Sequence, residues 1–290
     1  MGHAWRNEDL TMNDSEPIVA GYDGSHEADT AVQWAARLAN RRKCPLQIVH
    51  CSLWPVITHN MEPVPGIAES GLRHAAESVV SEGVARAHEV SADVEVTTSL
   101  VYGWPAENLR KLASHASLLV VGTRGIGGFL GLLVGSVSLE LAATAACPVA
   151  VIGPVQRPGG PVVVGIDGEG WEATLRYAAT FASQTQASLR IVHVRRKHDG
   201  HDPAQGPGAR EMLDSAIRSV RNTTPGLEVA DVLLSGTSVA GTLLSATSDA
   251  QVVVVGSSGL GLVKGSIGST AHAVLHHAGC PVIVVRHPKQ

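Results

Sequence analysis

Six glycines fall within the fourteen residues from Gly122 to Gly135, directly after the apolar run LLVV and directly before the helical pattern SVSLELAATAA. Glycine tolerates positive φ and lets a backbone approach a ligand closely. Amides of such a loop, and of the helix that follows it, aim at one point and favour a phosphate there. Arg124 adds a full positive charge, and Ser136 and Ser138 offer N-cap or phosphate-contacting hydroxyls. A lone glycine cluster more often only turns the chain. Here it follows a strand, opens a helix, carries Arg and Ser, and recurs in shorter form as GSSGLGLVKGSIGST from Gly256 to Thr270. Asp23, in AGYDGS, ends another apolar run and has Ser25 beside it.

Two well-known phosphate loops do not fit. No Gly-Lys-Ser or Gly-Lys-Thr occurs, so there is no P-loop. The dinucleotide fingerprint belongs after the first strand of a unit, whereas this loop follows the fourth.

The elements that position these residues occur twice. PIVAGYDGSHEADTAVQWAARLA begins at Pro17 and PVVVGIDGEGWEATLRYAATFA at Pro161. Asp23 pairs with Asp167, Gly122 with Gly256 and Cys147 with Cys280. The expected layout is a flexible N-terminal tail over 1–16, one domain over 17–153, a Pro/Gly linker over 154–160 and a second domain over 161–287. Met12 is an alternative start within the tail.

Each copy alternates strand and helix. The strands are PIVAGY, LQIVHC, VEVTTSLV, SLLVVG and PVAVIG in the first copy, and PVVVGI, SLRIVHV, EVADVLL, QVVVVG and PVIVVR in the second. Short, β-branched, nearly continuous apolar runs suit a parallel sheet buried on both faces. In the first helix Ala28, Ala31, Val32, Ala35 and Leu38 share one face. The fold class is therefore α/β, with two doubly wound, open, parallel five-stranded sheets in tandem. Ligands in such sheets sit at the carboxyl ends of the strands, where Asp23 and Gly122 both lie. The apolar last strands, PVAVIG and PVIVVR, are edges that invite a partner, either each other within the chain or a second chain in a homodimer.

Composition narrows the function. With 290 residues, net charge −4 and only 3% aromatics, the chain is a poor nucleic-acid binder. It has no apolar run of membrane-spanning length and no apolar signal core, so a cytoplasmic place with no membrane contact is expected. Four cysteines without a C-x-x-C pair read as reduced thiols, with Cys147 and Cys280 as small buried residues.

Gly122-x2-Gly125-x9-Gly135-Ser136, flanked by D-G-S upstream and C-P-V downstream, resembles the universal stress protein family over nearly the whole chain, twice. The resemblance implies strand order 3-2-1-4-5 and, in ATP-binding members, a pocket for which Gly122, Gly125, Gly135 and Ser136 hold ribose and phosphates. Asp23 would line that pocket, and Val49 would meet adenine through its backbone. Gly21, Ser25, Arg124, Gly127, Val137 and Ser138 are neighbours added by position. The corresponding set in the second copy is Gly165, Asp167, Val192, Gly256, Gly259, Gly268, Ser269 and Thr270.

The second copy departs from the pattern. Gly259 to Gly268 encloses eight residues rather than nine, Ser258 replaces Arg124, and the serine of D-G-S is missing. These changes leave it between a second nucleotide site and a degenerate one, with Lys264 as a loop charge more apt to be solvated. His50 and His193 match as packed or pocket-edge histidines, and HDGHDP at 198–203 reads as a solvated loop rather than a metal site. Trp54-Pro55 and Trp104-Pro105 could wall the pocket or merely cover the sheet end. No catalytic set is visible.

The resulting expectation is an ATP-binding regulatory stress-response protein, with Mg2+ as a companion of the nucleotide and little or no turnover. The alternatives are a slow ATPase or phosphotransferase, and a dimerisation scaffold that binds no nucleotide.

Overall fold

The structure is a computed structural model that describes residues 16–53, 68–126, 133–168, 170–197, 207–257 and 266–286. The expectations placed on the N-terminal tail, Trp54-Pro55, Gly127, residues 198–203, Ser258, Gly259 and Lys264 lie outside these residues.

The first half runs β1 (Ile18–Gly21), α1 (His26–Arg42), β2 (Leu46–Ser52), α2 (Ala68–Val90), β3 (Val96–Tyr102), α3 (Pro105–Leu112), β4 (Leu118–Gly122), α4 (Ser136–Thr144) and β5 (Val149–Ile152). The second half repeats it: β6 (Val162–Gly165), α5 (Trp171–Thr185), β7 (Leu189–Arg196), α6 (Pro207–Thr223), β8 (Val229–Gly236), α7 (Val239–Ser245), β9 (Val252–Gly256), α8 (Ser269–His277) and β10 (Val282–Val285). Within each half all pairings are parallel, and the order is 3-2-1-4-5. The expected alanine and leucine face of α1 is buried. Inner strands such as β4, with every residue buried, follow the continuous apolar pattern. The edge strands β3 and β8 instead show exposed and half-buried residues, because each has only one neighbour.

The two five-stranded sheets do not stay separate. β5 and β10 pair antiparallel, Val282 opposite Val151 and Val284 opposite Val149, giving one ten-stranded sheet in the order β3-β2-β1-β4-β5-β10-β9-β6-β7-β8. The two apolar edges thus cover each other inside the chain, and neither is left to pair a homodimer through these strands. Because that joint is antiparallel, the carboxyl ends of the two halves point in opposite directions.

Side chains reinforce the joint. Trp34 of α1 stacks on Phe181 of α5, centroids 6.1 Å apart, and the Arg42 guanidinium lies over the Phe181 ring. Beyond each last strand an arginine reaches the other half. Arg286 donates to the Thr144 carbonyl, 2.7 Å, at the end of α4, and Arg157 to the Gly279 carbonyl just past α8. A cation there complements the partial negative charge of a helix C-terminus.

Candidate functional site

At the carboxyl end of the first half, Asp23 holds two loops together. Its Oδ1 accepts from the Ser25 amide, 3.0 Å, and the Ser25 hydroxyl, 2.6 Å; its Oδ2 accepts from the Ile126 amide, 2.9 Å. Ser25 is the N-cap of α1, its oxygen accepting from the Ala28 amide. One carboxylate therefore fastens the glycine loop to the start of α1. Glycine at 125 is what lets the loop come this close: a Cβ there would sit 2.2 Å from Asp23 Oδ2. Gly122 is equally constrained, since its Cβ would meet the Glu27 backbone at 2.8 Å. Gly21 packs its bare Cα under Leu109 and Val121.

The second wall is the start of α4. Gly135 donates its amide to the Thr123 carbonyl, 2.7 Å, closing the loop, and serves as N-cap without any side-chain oxygen. The amides of Ser136, Val137 and Ser138 thus open the helix without a side-chain cap, which is the condition under which a helix start accepts an anion. Neither serine is the N-cap, contrary to expectation. Ser136 is exposed at the first helical position. Ser138 is buried and its hydroxyl donates to the Gly122 carbonyl, 2.8 Å, so it ties the two ends of the loop together instead of facing a ligand.

Arg124 is not an unengaged charge either. Its Nη2 lies 2.7 Å from Glu27 Oε1, an ion pair of two partly exposed groups that ties the loop to the first turn of α1. Val49 is buried, and its carbonyl accepts the Tyr22 amide at 2.9 Å. The His50 ring contacts the Tyr22 carbonyl at 2.9 Å, the packed role expected of it. Large apolar side chains are exposed at this end of the sheet: Tyr102 at the end of β3, Trp104 after it, and Ile126 and Leu133 within the loop. Trp104 is the N-cap of α3, with Pro105 at its first turn, and it is 60% exposed.

The second half repeats the frame, and the residues that correspond to the Ile126 end of the latch lie outside the described residues. Gly268 donates to the Ser257 carbonyl, 2.8 Å, and caps α8 without a side chain, which puts Ser269 and Thr270 at the first helical positions. The Ile166 amide bonds to the Val192 carbonyl, and His193 contacts the Ile166 carbonyl, as in the first half. Gly165 is pressed by Leu243, and Gly256 ends β9. Asp167, however, is 70% exposed, with only a 4.0 Å approach to His193. The N-cap of α5 is Gly170 with φ 80°, where α1 has a serine. Ala271 stands where Ser138 stood, so the hydroxyl tie is also lost.

The cysteines match the inert reading. Burial pushes Cys147 up to about 12 and Cys51 and Cys280 to about 11, so none is a thiolate near neutrality. Among the described residues no cluster of three potential ligands could hold a metal ion, and no helix is long and apolar enough to cross a membrane.

The sequence profile described as the Universal stress protein family matches residues 15–153 and again 160–286. The chain is 33% identical to Universal stress protein Rv2005c of Mycobacterium tuberculosis, over 93% of this chain and 96% of that one. It is 31% identical to Universal stress protein Rv2623 of the same organism, over 94% and 97%. Among solved structures it is similar to a universal stress protein from Archaeoglobus fulgidus, with TM-score 0.69 and 21% identity, covering 97% of this chain and 99% of that one. That last likeness is one of fold.

Proposed function

Both halves of the chain belong to the universal stress protein family, and from that premise we propose that it is a regulatory protein that binds an adenine nucleotide, ATP in the first instance, at the first half. The observation that carries this reading is the latch of Asp23 on the Ile126 amide, beside a helix start whose first amides have no side-chain cap. The fit is one of shape and charge. Gly122 and Gly125 leave no room for side chains, so phosphates meet backbone. The exposed Trp104, Ile126 and Leu133 supply apolar surface for the base.

Asp23, Ser25 and Arg124 act as a frame here: the carboxylate and the guanidinium are each already bonded, and they hold the glycine loop in its receiving shape. Mg2+ would arrive with the phosphates, because both oxygens of Asp23 are engaged. Occupancy rather than turnover is the signal. Calorimetry with Mg2+ and ATP tests the reading. We expect one nucleotide per chain; no binding at millimolar ATP would overturn it.

A further inference from the structure

We propose that a phosphate-class oxyanion binds in a groove at the junction of the two halves, between Arg37, Arg41 and Arg157, apart from both glycine loops. The groove lies where α1 crosses α5 beneath the linker and has a cavity volume of about 90 Å³. A cavity needs only about 10–15 Å³ by this measure to hold a water, so the space admits a tetrahedral oxyanion. The Trp34–Phe181 stack forms its apolar wall.

Among the described residues three guanidiniums line this space and no carboxylate does, in a chain whose net charge is −4. Two of them have an anchoring role: Arg41 donates through Nη1 to the Thr185 carbonyl, 3.1 Å, and Arg157 through Nη1 to the Gly279 carbonyl. Each guanidinium carries five N–H donors, so both keep donors to spare. Arg37 is exposed and makes no hydrogen bond or ion pair among the described residues. A nearby carboxylate that feels Arg157, that of Asp249, is already committed to Arg190 through two bonds of 2.7 and 2.8 Å. Among the described residues no carboxylate is bonded to these three guanidiniums, and like charges are gathered at a joint. The planar fork of arginine matches the edge of a phosphate, and an apolar wall strengthens the contact.

An anion seated here would touch α1 of one half, the linker and the region before β9 of the other, through Arg37, Arg157 and Gln251. It would fasten the halves and raise stability by mass action.

The test is thermal unfolding and calorimetry of the full chain with inorganic phosphate, against chloride at matched ionic strength. Phosphate is expected to raise the melting temperature. Arg37→Gln alone, and with Arg157→Gln, is expected to weaken binding at least tenfold, a factor typical of one lost charge-assisted contact. Gly125→Val or Asp23→Asn, which damage the glycine loop, are expected to leave the phosphate response in place. Tripolyphosphate binding tighter than phosphate would assign the groove to a polyphosphate end, and equal affinities to the free anion. A response that survives the arginine substitutions but vanishes with the loop variants would overturn the proposal, as would the absence of any phosphate-specific response.

Discussion

Single atoms decide whether the loop of the first half is a receptor or a turn. At residue 125 a Cβ would lie 2.2 Å from a carboxylate oxygen that itself holds the loop. Gly125→Val is therefore expected to lower ATP affinity by more than tenfold, each lost charge-assisted contact costing about 1.5–3 kcal/mol. Gly259→Val, in a half without the serine and arginine of the latch, is expected to do much less. Paired titrations of the two variants check this, and equal losses would show that the second half has rebuilt its site. Ser138→Ala should cost about 1 kcal/mol by denaturant unfolding, for a buried hydroxyl bonded to the Gly122 carbonyl. The cysteines make a further prediction about pH. Their ordinary value is 9.0, and burial raises Cys147 to about 12 and Cys280 to about 11. A raised acid contributes stability that is intact below the unfolded value and is lost as pH rises through the folded one. Stability should accordingly fall from about pH 9 upward, and the Cys147→Ala, Cys280→Ala double variant should flatten that slope in urea titrations repeated across pH.

Among the elements, pattern and position were legible to different depths. The alternation of strands and helices, the alanine face of α1 and the place of the glycine loop follow from local composition, because inner strands must be apolar on both sides and a loop at a helix start needs glycine; the strand order was implied by the family resemblance alone. The apolar runs PVAVIG and PVIVVR announced edges in need of a partner, yet only the folded chain shows that they choose each other. What remained hidden was direction. Serine at 138 has the type and place of a phosphate contact, but β4 ends so close that its hydroxyl turns back to Gly122. Arg124 meets Glu27 across 97 residues, and Arg157 joins Arg37 and Arg41 of α1 only because the linker passes over that helix. Such contacts are set by tertiary approach, on which the linear pattern is silent. The joint itself can be probed: Ile283→Pro places a residue without an amide in β10 opposite Ala150, and a buried ladder partner left unpaired there should cost about 1–3 kcal/mol. Chemical denaturation should then show the two halves melting apart.

For the whole molecule, the antiparallel joint points the carboxyl ends of β4 and β9 in opposite directions within one sheet while keeping a single hydrogen-bonded ladder between them. A nucleotide at the first half touches Asp23, the glycine loop and α4, all far along the ladder from β8. If the sheet, the Trp34–Phe181 stack and the crossed arginines make the halves one cooperative unit, binding at one end must stabilise both. ATP at one hundred times its Kd contributes about 2.7 kcal/mol. That gain should appear as one calorimetric transition moving upward intact, with amides of β6 and β9 gaining hydrogen-exchange protection alongside those of β1 and β4. In Ile283→Pro the same dose should move only a first-half transition. Two transitions in the unaltered chain, with the second indifferent to ATP, would mean that the shared sheet joins the halves in space without coupling them in energy.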